Sequence, residues 1–168
     1  MPSIQSDIQE LHRQLEKGSI QKAYRALVAA MTGFRGHFTE KFGDPAVSAL
    51  YQGYLDMTYF AVFPPTLKPL DLKVAIVFNY EAFRFEIWLV ARNRKLQRQY
   101  WELFQGSQWP MYKVVAPASG VDAIVEFDLS GEFDFEDLDG LTAMIDKATA
   151  TFISDMDRFL IENKPGVS

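Results

Sequence analysis

Cysteine is absent from all 168 residues, which excludes disulfide staples, thiol catalysis and cysteine-ligated zinc or iron–sulfur centres, and leaves the redox compartment open. Histidine is scarce as well. His12 and His37 are isolated from each other in the sequence, and neither has a serine in a nucleophile motif beside it. No apolar run approaches the roughly 20 residues a membrane span needs. Met1 to Glu16 carries Asp7, Glu10 and Glu16 in place of the apolar segment of a signal peptide. The expectation is a soluble cytoplasmic protein with no membrane partner. Phosphate loops, nucleophile elbows, metal-ligand spacings and nucleic-acid modules are also missing, so no reaction class and no cofactor is signalled.

What the chain does have is apolar bulk: 48% hydrophobic and 14% aromatic residues, enough to fill one sizeable core without metals or disulfides. One α+β domain spanning residues 1–168 is expected. Ile4, Ile8, Leu11 and Leu15 keep helical spacing, with Ser3 or Ser6 as cap and Gly18 as stop. A second helix from Ser19 carries the stripe Ile20, Tyr24, Leu27, Met31, Phe34, Phe38, Phe42, and the two predict a helical hairpin at the N-terminus. Gly33 and Gly36 imply close packing, a kink or an earlier end of that helix. Asp44-Pro45 predicts a short third helix from Pro45 to about Gln52.

Strand character follows. Tyr54 to Phe63, Leu72 to Asn79 and Ala82 to Ala91 read as three strands, the last two joined near Tyr80-Glu81 closely enough for an antiparallel hairpin. Asn93 can cap a helix to about Phe104. Two weaker strands, Met111 to Ala116 and Ala123 to Leu129, precede a long C-terminal helix capped by Asp139. Helices around a largely antiparallel or mixed five-stranded sheet define the α+β class.

Candidate chemistry starts from Asp56, Arg84 and Glu86. Arg84 and Glu86 share a strand face by their i, i+2 spacing, and Asp56 sits on a strand that could lie beside them. Converging carboxylates could hold Mg²⁺ for phosphodiester hydrolysis, while Arg84 neutralising them in a structural network is the simpler reading. The basic run Arg92, Arg94, Lys95 and Arg98 could contact phosphate, with Tyr100, Trp101 and Trp109 as stacking surfaces. A solvated helix face satisfied by acidic residues between Asp122 and Asp139 explains the same run. Glu126, Asp128, Glu132, Asp134, Glu136, Asp137 and Asp139 lack the spacing of a calcium loop and read mostly as solvated loop. Tyr54, Tyr59, Asn79, Tyr80 and Trp88 could line a pocket for a flat apolar ligand, although aromatic side chains on a sheet face ordinarily fill the core. A net charge of -5 keeps nucleic acid from being the default partner.

Phe85-Glu86-Ile87-Trp88-Leu89, with Asn93-Arg94, Gln97 and Tyr100-Trp101, resembles a family of small bacterial proteins of unknown function, over most of the chain. The resemblance implies a bacterial source and no activity. More remotely, helix, three strands, helix, strand resembles the core order of restriction-endonuclease-like folds. Those nucleases place a lysine two residues after the second acid, where this chain has Trp88 after Glu86. Mg²⁺ enters only on that reading. The leading expectation is a non-enzymatic module that forms a homodimer or binds a protein partner. Its alternatives are a degenerate nuclease-like nucleic-acid binder and a small apolar-ligand binder.

Overall fold

The computed structural model describes residues 1–107, 109 and 111–163. Four helices and five strands follow in the order α1 (Ile4–Glu16), α2 (Ser19–Phe42), β1 (Met57–Val62), β2 (Leu72–Asn79), β3 (Arg84–Ala91), α3 (Arg94–Gly106), β4 (Lys113–Val114), β5 (Ala123–Asp128) and α4 (Leu138–Glu162). The strands form one sheet in the order β1-β2-β3-β5-β4, and every pairing is antiparallel.

The centre of the sheet follows from side-chain character. On β2 and β3 both faces are apolar for most of their length, which suits interior strands. They pair over their full eight residues, Leu72 opposite Ala91 and Asn79 opposite Arg84. The chain then leaves through α3, makes the two-residue β4 and returns as β5 between β3 and β4. A bulge at Leu89/Val90 leaves Ile124 as the extra residue between Val125 and Ala123. All three stay buried in consequence.

One face of the sheet carries Phe60, Val62, Val74, Ile76, Phe85, Ile87 and Leu89, and α2, α3 and α4 cover it. Seven phenylalanines are fully buried there. Their rings interlock edge to face, as with Phe78 and Phe85 at 5.0 Å, or stack, as with Phe104 and Phe159 at 4.2 Å. The opposite face holds a smaller apolar cluster of Ala75, Val77, Trp88, Val90 and Ala123, to which no described helix contributes.

The short helix expected at Pro45 to Gln52 does not form. Asp44–Ala46 makes one 3₁₀ turn, and the chain then runs extended along the outer edge of β1. Val47 bridges Val62 and Tyr51 bridges Tyr59, while Phe63 N–H donates to the Ala46 carbonyl at 2.8 Å. Val47 and Tyr51 are β-favouring side chains with a free strand edge to satisfy, and that edge outweighs the Asp-Pro start signal.

The two N-terminal helices are joined through Gly18, whose φ of 77° makes the left-handed turn that glycine takes without strain. From Leu27 onward α2 drives its stripe into the core. Among the described residues, α1 buries no side chain. Ile4, Ile8 and Leu11 stand 75%, 54% and 51% exposed. Gly33 and Gly36 neither end α2 nor serve close packing, since an added Cβ would meet no atom within 4 Å.

Candidate functional site

Alternation along β3 sends Arg84, Glu86 and Trp88 to the sheet face that no described helix covers. The register places Asp128 opposite Glu86 and Glu126 opposite Trp88 on β5, and Asn79 opposite Arg84 on β2. Glu86 is the buried charge at the centre, its side chain 2% exposed. Arg84 Nε donates to its Oε2 at 2.8 Å, Trp88 Nε1 to its Oε1 at 3.0 Å, and Asn79 Nδ2 to Oε2 at 3.3 Å. Both carboxylate oxygens are therefore engaged, as burial of an ionised group requires.

Arg84 also reaches Asp128 through Nη2 at 3.1 Å, and Lys113 lies 3.6 Å from Glu126. The hydrogen bond to Glu86, ahead of attraction to Asp128, holds the Arg84 guanidinium still more firmly protonated. Burial, followed by repulsion from Glu86, pushes the Glu126 carboxyl above its ordinary value against the pull of Lys113. Each of Glu86, Glu126 and Asp128 offers an oxygen within 4.8 Å of the others, so these three would be the ligands of any cation bound here. Such an ion would have to displace the guanidinium that already bridges Glu86 and Asp128. The contacts join β3 to β2 and to β5 by charge-assisted bonds.

Asp56 does not join it. Its Oδ1 accepts the Tyr54 N–H at 2.8 Å and closes the turn into β1, and the backbone N–H groups of Tyr54 and Met57 hold its carboxyl below the usual range. The reason is register: the row of Glu86 crosses β1 at Tyr59, three positions further along. The sequence pairs Arg84 with Glu86 and places Glu126 and Asp128 on the strand Ala123 to Leu129, but does not join those two acids to the Arg84–Glu86 pair. Their i, i+2 spacing, repeating that of Arg84 and Glu86, was the available signal.

The basic run is partly engaged within the molecule. Arg92 lies 3.6 Å from Asp71, and Arg94 lies 3.2 Å from Asp122 while also donating to Gln97 and to the Val121 carbonyl. Lys95 and Arg98 are exposed and make no ion pair among the described residues. Of the aromatic partners, Tyr100 is buried, Trp109 packs on Phe104 and Phe159, and Trp101 is half-buried against the core. Asn93 caps α3 through Leu96 N–H, as its position suggested.

The aromatic set splits between the two faces of the sheet. Tyr59 and Trp88 line a shallow pocket of about 210 Å³ with Lys73, Arg92 and Asp122. Tyr80 turns to the helix side, where its hydroxyl meets Thr58 at 2.8 Å and its ring packs on Phe78. Asn79 spends its oxygen on the Glu81 and Ala82 N–H groups of the hairpin, and Tyr54 is 92% exposed. A larger groove of about 340 Å³ lies elsewhere, between β5 and α4, lined by Tyr112, Phe127, Leu129, Met144 and Ala148 with Lys147 at its rim. The hydroxyl of Tyr112 donates to the buried Asp155 at 2.5 Å. Nothing in the spacing of these residues announced that contact.

His12 pairs with Glu16 on the surface of α1, and His37 meets Asp146 at 3.0 Å, where α2 faces α4. Asp137, not Asp139, caps α4, its Oδ1 accepting the Gly140 N–H. No described helix is long and apolar enough to cross a membrane.

These features define an α+β protein with an antiparallel sheet, helices on one side and an ion network on the other. The chain belongs to the family described as a domain of unknown function, DUF7000, whose model matches residues 4–160. No curated protein and no solved structure matches it, so the endonuclease-like resemblance gains no support.

Proposed function

We propose that this chain is a non-enzymatic module that works by self-association, with the free face of α1 as its contact surface. The observation that carries the reading is the exposure of Ile4, Ile8 and Leu11 on a helix that buries nothing of its own. A helix of 13 residues is marginal in water on its own, and its stability in proteins comes from packing an apolar face. An apolar stripe left open on an ordered helix marks an interaction surface. Two further observations favour a non-catalytic role. The central carboxylate that could have served chemistry, Glu86, is engaged by Arg84, Trp88 and Asn79, and the chain carries no nucleophile motif. The cytoplasm is the setting we infer, in keeping with the absence of a membrane-crossing helix among the described residues. A bacterial source belongs to the same proposal.

Light scattering across about two decades of protein concentration tests it. The average mass is expected to rise above the 19.2 kDa of one chain and to return to it in the variant Ile8→Asp. A mass of one chain at every concentration would defeat the proposal.

A further inference from the structure

The stripe on α1 has a property that selects its partner. Ile4, Ile8, Leu11 and Leu15 are spaced 4-3-4, and that spacing reads the same from either end. Turned end for end, the helix places Leu15 where Ile4 was and Leu11 where Ile8 was. We propose that α1 pairs with α1 of a second copy of this chain in antiparallel fashion, about a two-fold axis passing between Gln9 and Glu10. This deepens the self-association reading and rests on it.

In that arrangement Ile4 packs against Leu15 of the second copy and Ile8 against Leu11, each contact occurring twice, as an isologous interface demands. The residues beside the stripe are Gln14 and Asp7 on one flank and His12 and Gln5 on the other. The two-fold brings like flank to like flank, so Asp7 meets Gln14 and His12 meets Gln5. No like-charged pair is created across the seam.

The remaining charges of α1 point away from the seam and are already partnered within the helix. Arg13 and Gln14 both donate to Glu10, and Glu16 lies 3.5 Å from His12. The helix start is fixed independently, Ser3 Oγ accepting the Ser6 N–H at 3.2 Å. Leu15 is the most sheltered of the four, half-buried near the turn, and Ile20 extends the apolar surface just beyond it at 39% exposure. A parallel pair would set Ile4 beside Ile4, bring Asp7 beside His12 of the second copy, and lead both α2 helices and their sheets out from the same end of the seam, where the two bodies compete for space. Antiparallel pairing sends the two bodies to opposite ends. Two helices of this length fall short of the roughly 1,200 Å² of a standard interface, so the association is expected to be reversible and dependent on concentration.

The lack of cysteine makes the geometry directly readable, because any introduced thiol is the only one in its chain. Ile4→Cys and Leu15→Cys proteins, distinguished by an isotopic mass label, are oxidised under mild conditions singly and as an equimolar mixture. Mass spectrometry scores the covalent dimers, and light scattering of the unmodified protein runs in parallel. The expected result is a disulfide joining one chain of each kind, formed at least tenfold faster in the mixture than either variant forms with itself. A rapid Ile4→Cys homodimer would overturn the antiparallel pair and leave self-association standing. So would a dimeric mass without any of these crosslinks. An unmodified protein of single-chain mass at all concentrations would overturn both. Because α1 buries no side chain, the far-ultraviolet circular dichroism of each variant is expected to match the parent.

Discussion

Gly33 and Gly36 lie inside α2 with open space where a side chain would go. Alanine at either position removes unfolded-state freedom and adds helix propensity at no steric cost, so each replacement is expected to stabilise by about 1 kcal/mol. Thermal unfolding should shift upward by roughly 2–4 °C for each. Gly53 is the counter-example. Its φ is 75°, and a Cβ would lie 2.0 Å from the Met57 carbonyl oxygen, so Gly53→Ala is expected to destabilise by more than about 1 kcal/mol in the same measurement. Glu126 offers a test by pH. Its carboxyl is raised above the ordinary 4.5, burial being the main cause. The folded state therefore holds this proton more tightly than the unfolded chain, and stability falls as pH rises from 4.5 through the folded value. Glu126→Gln is expected to melt higher than the parent at pH 7, with the difference gone below about pH 4.5.

Elements were legible in the sequence wherever periodicity and caps agreed. Asn93 and the run Leu72 to Asn79 each announced their element, and of the two caps open for the first helix, Ser3 and Ser6, the structure uses Ser3. The segment after Asp44 was not legible, because its conformation is set by the edge of β1 and not by its own residues. The ion network divides the same way. Arg84 and Glu86 are two apart on one strand and could be paired on sight, whereas Asp128 reaches them only through a pairing of β3 with β5 across an intervening helix and strand. Local patterns carry no information on such a partner. For α1 the pattern identified a helix but not the exposure of its stripe. Deleting residues 1–17 is expected to change the melting temperature by no more than about 2 °C, since the deleted helix contributes nothing to the core. Calorimetry of the shortened chain in dilute solution checks this, and a drop of 10 °C would show that α1 supports the body after all.

At the scale of the molecule, the helical layer is tied together by few polar contacts. Asp146 on α4 receives Lys41 at 2.9 Å and His37 at 3.0 Å from α2. Burial raises its carboxyl, but the two hydrogen bonds and their charges outweigh that and leave it below the ordinary 3.8. A depressed carboxyl contributes stability that is complete above its unfolded value and lost as pH falls through the folded one. Asp146→Asn is expected to lower stability at pH 7 by less than about 1 kcal/mol, because water screens the half-exposed group. Near pH 2 the variant and the parent should unfold together, and acid titration followed by circular dichroism reads the convergence.

The edges of the sheet carry one more consequence. On one side residues 46–51 occupy much of the outer backbone of β1, and on the other β4 offers only two residues. Among the described residues an intruding strand finds no long row of unpaired amides on which to template, so both edges are blunted against edge-to-edge pairing of folded chains.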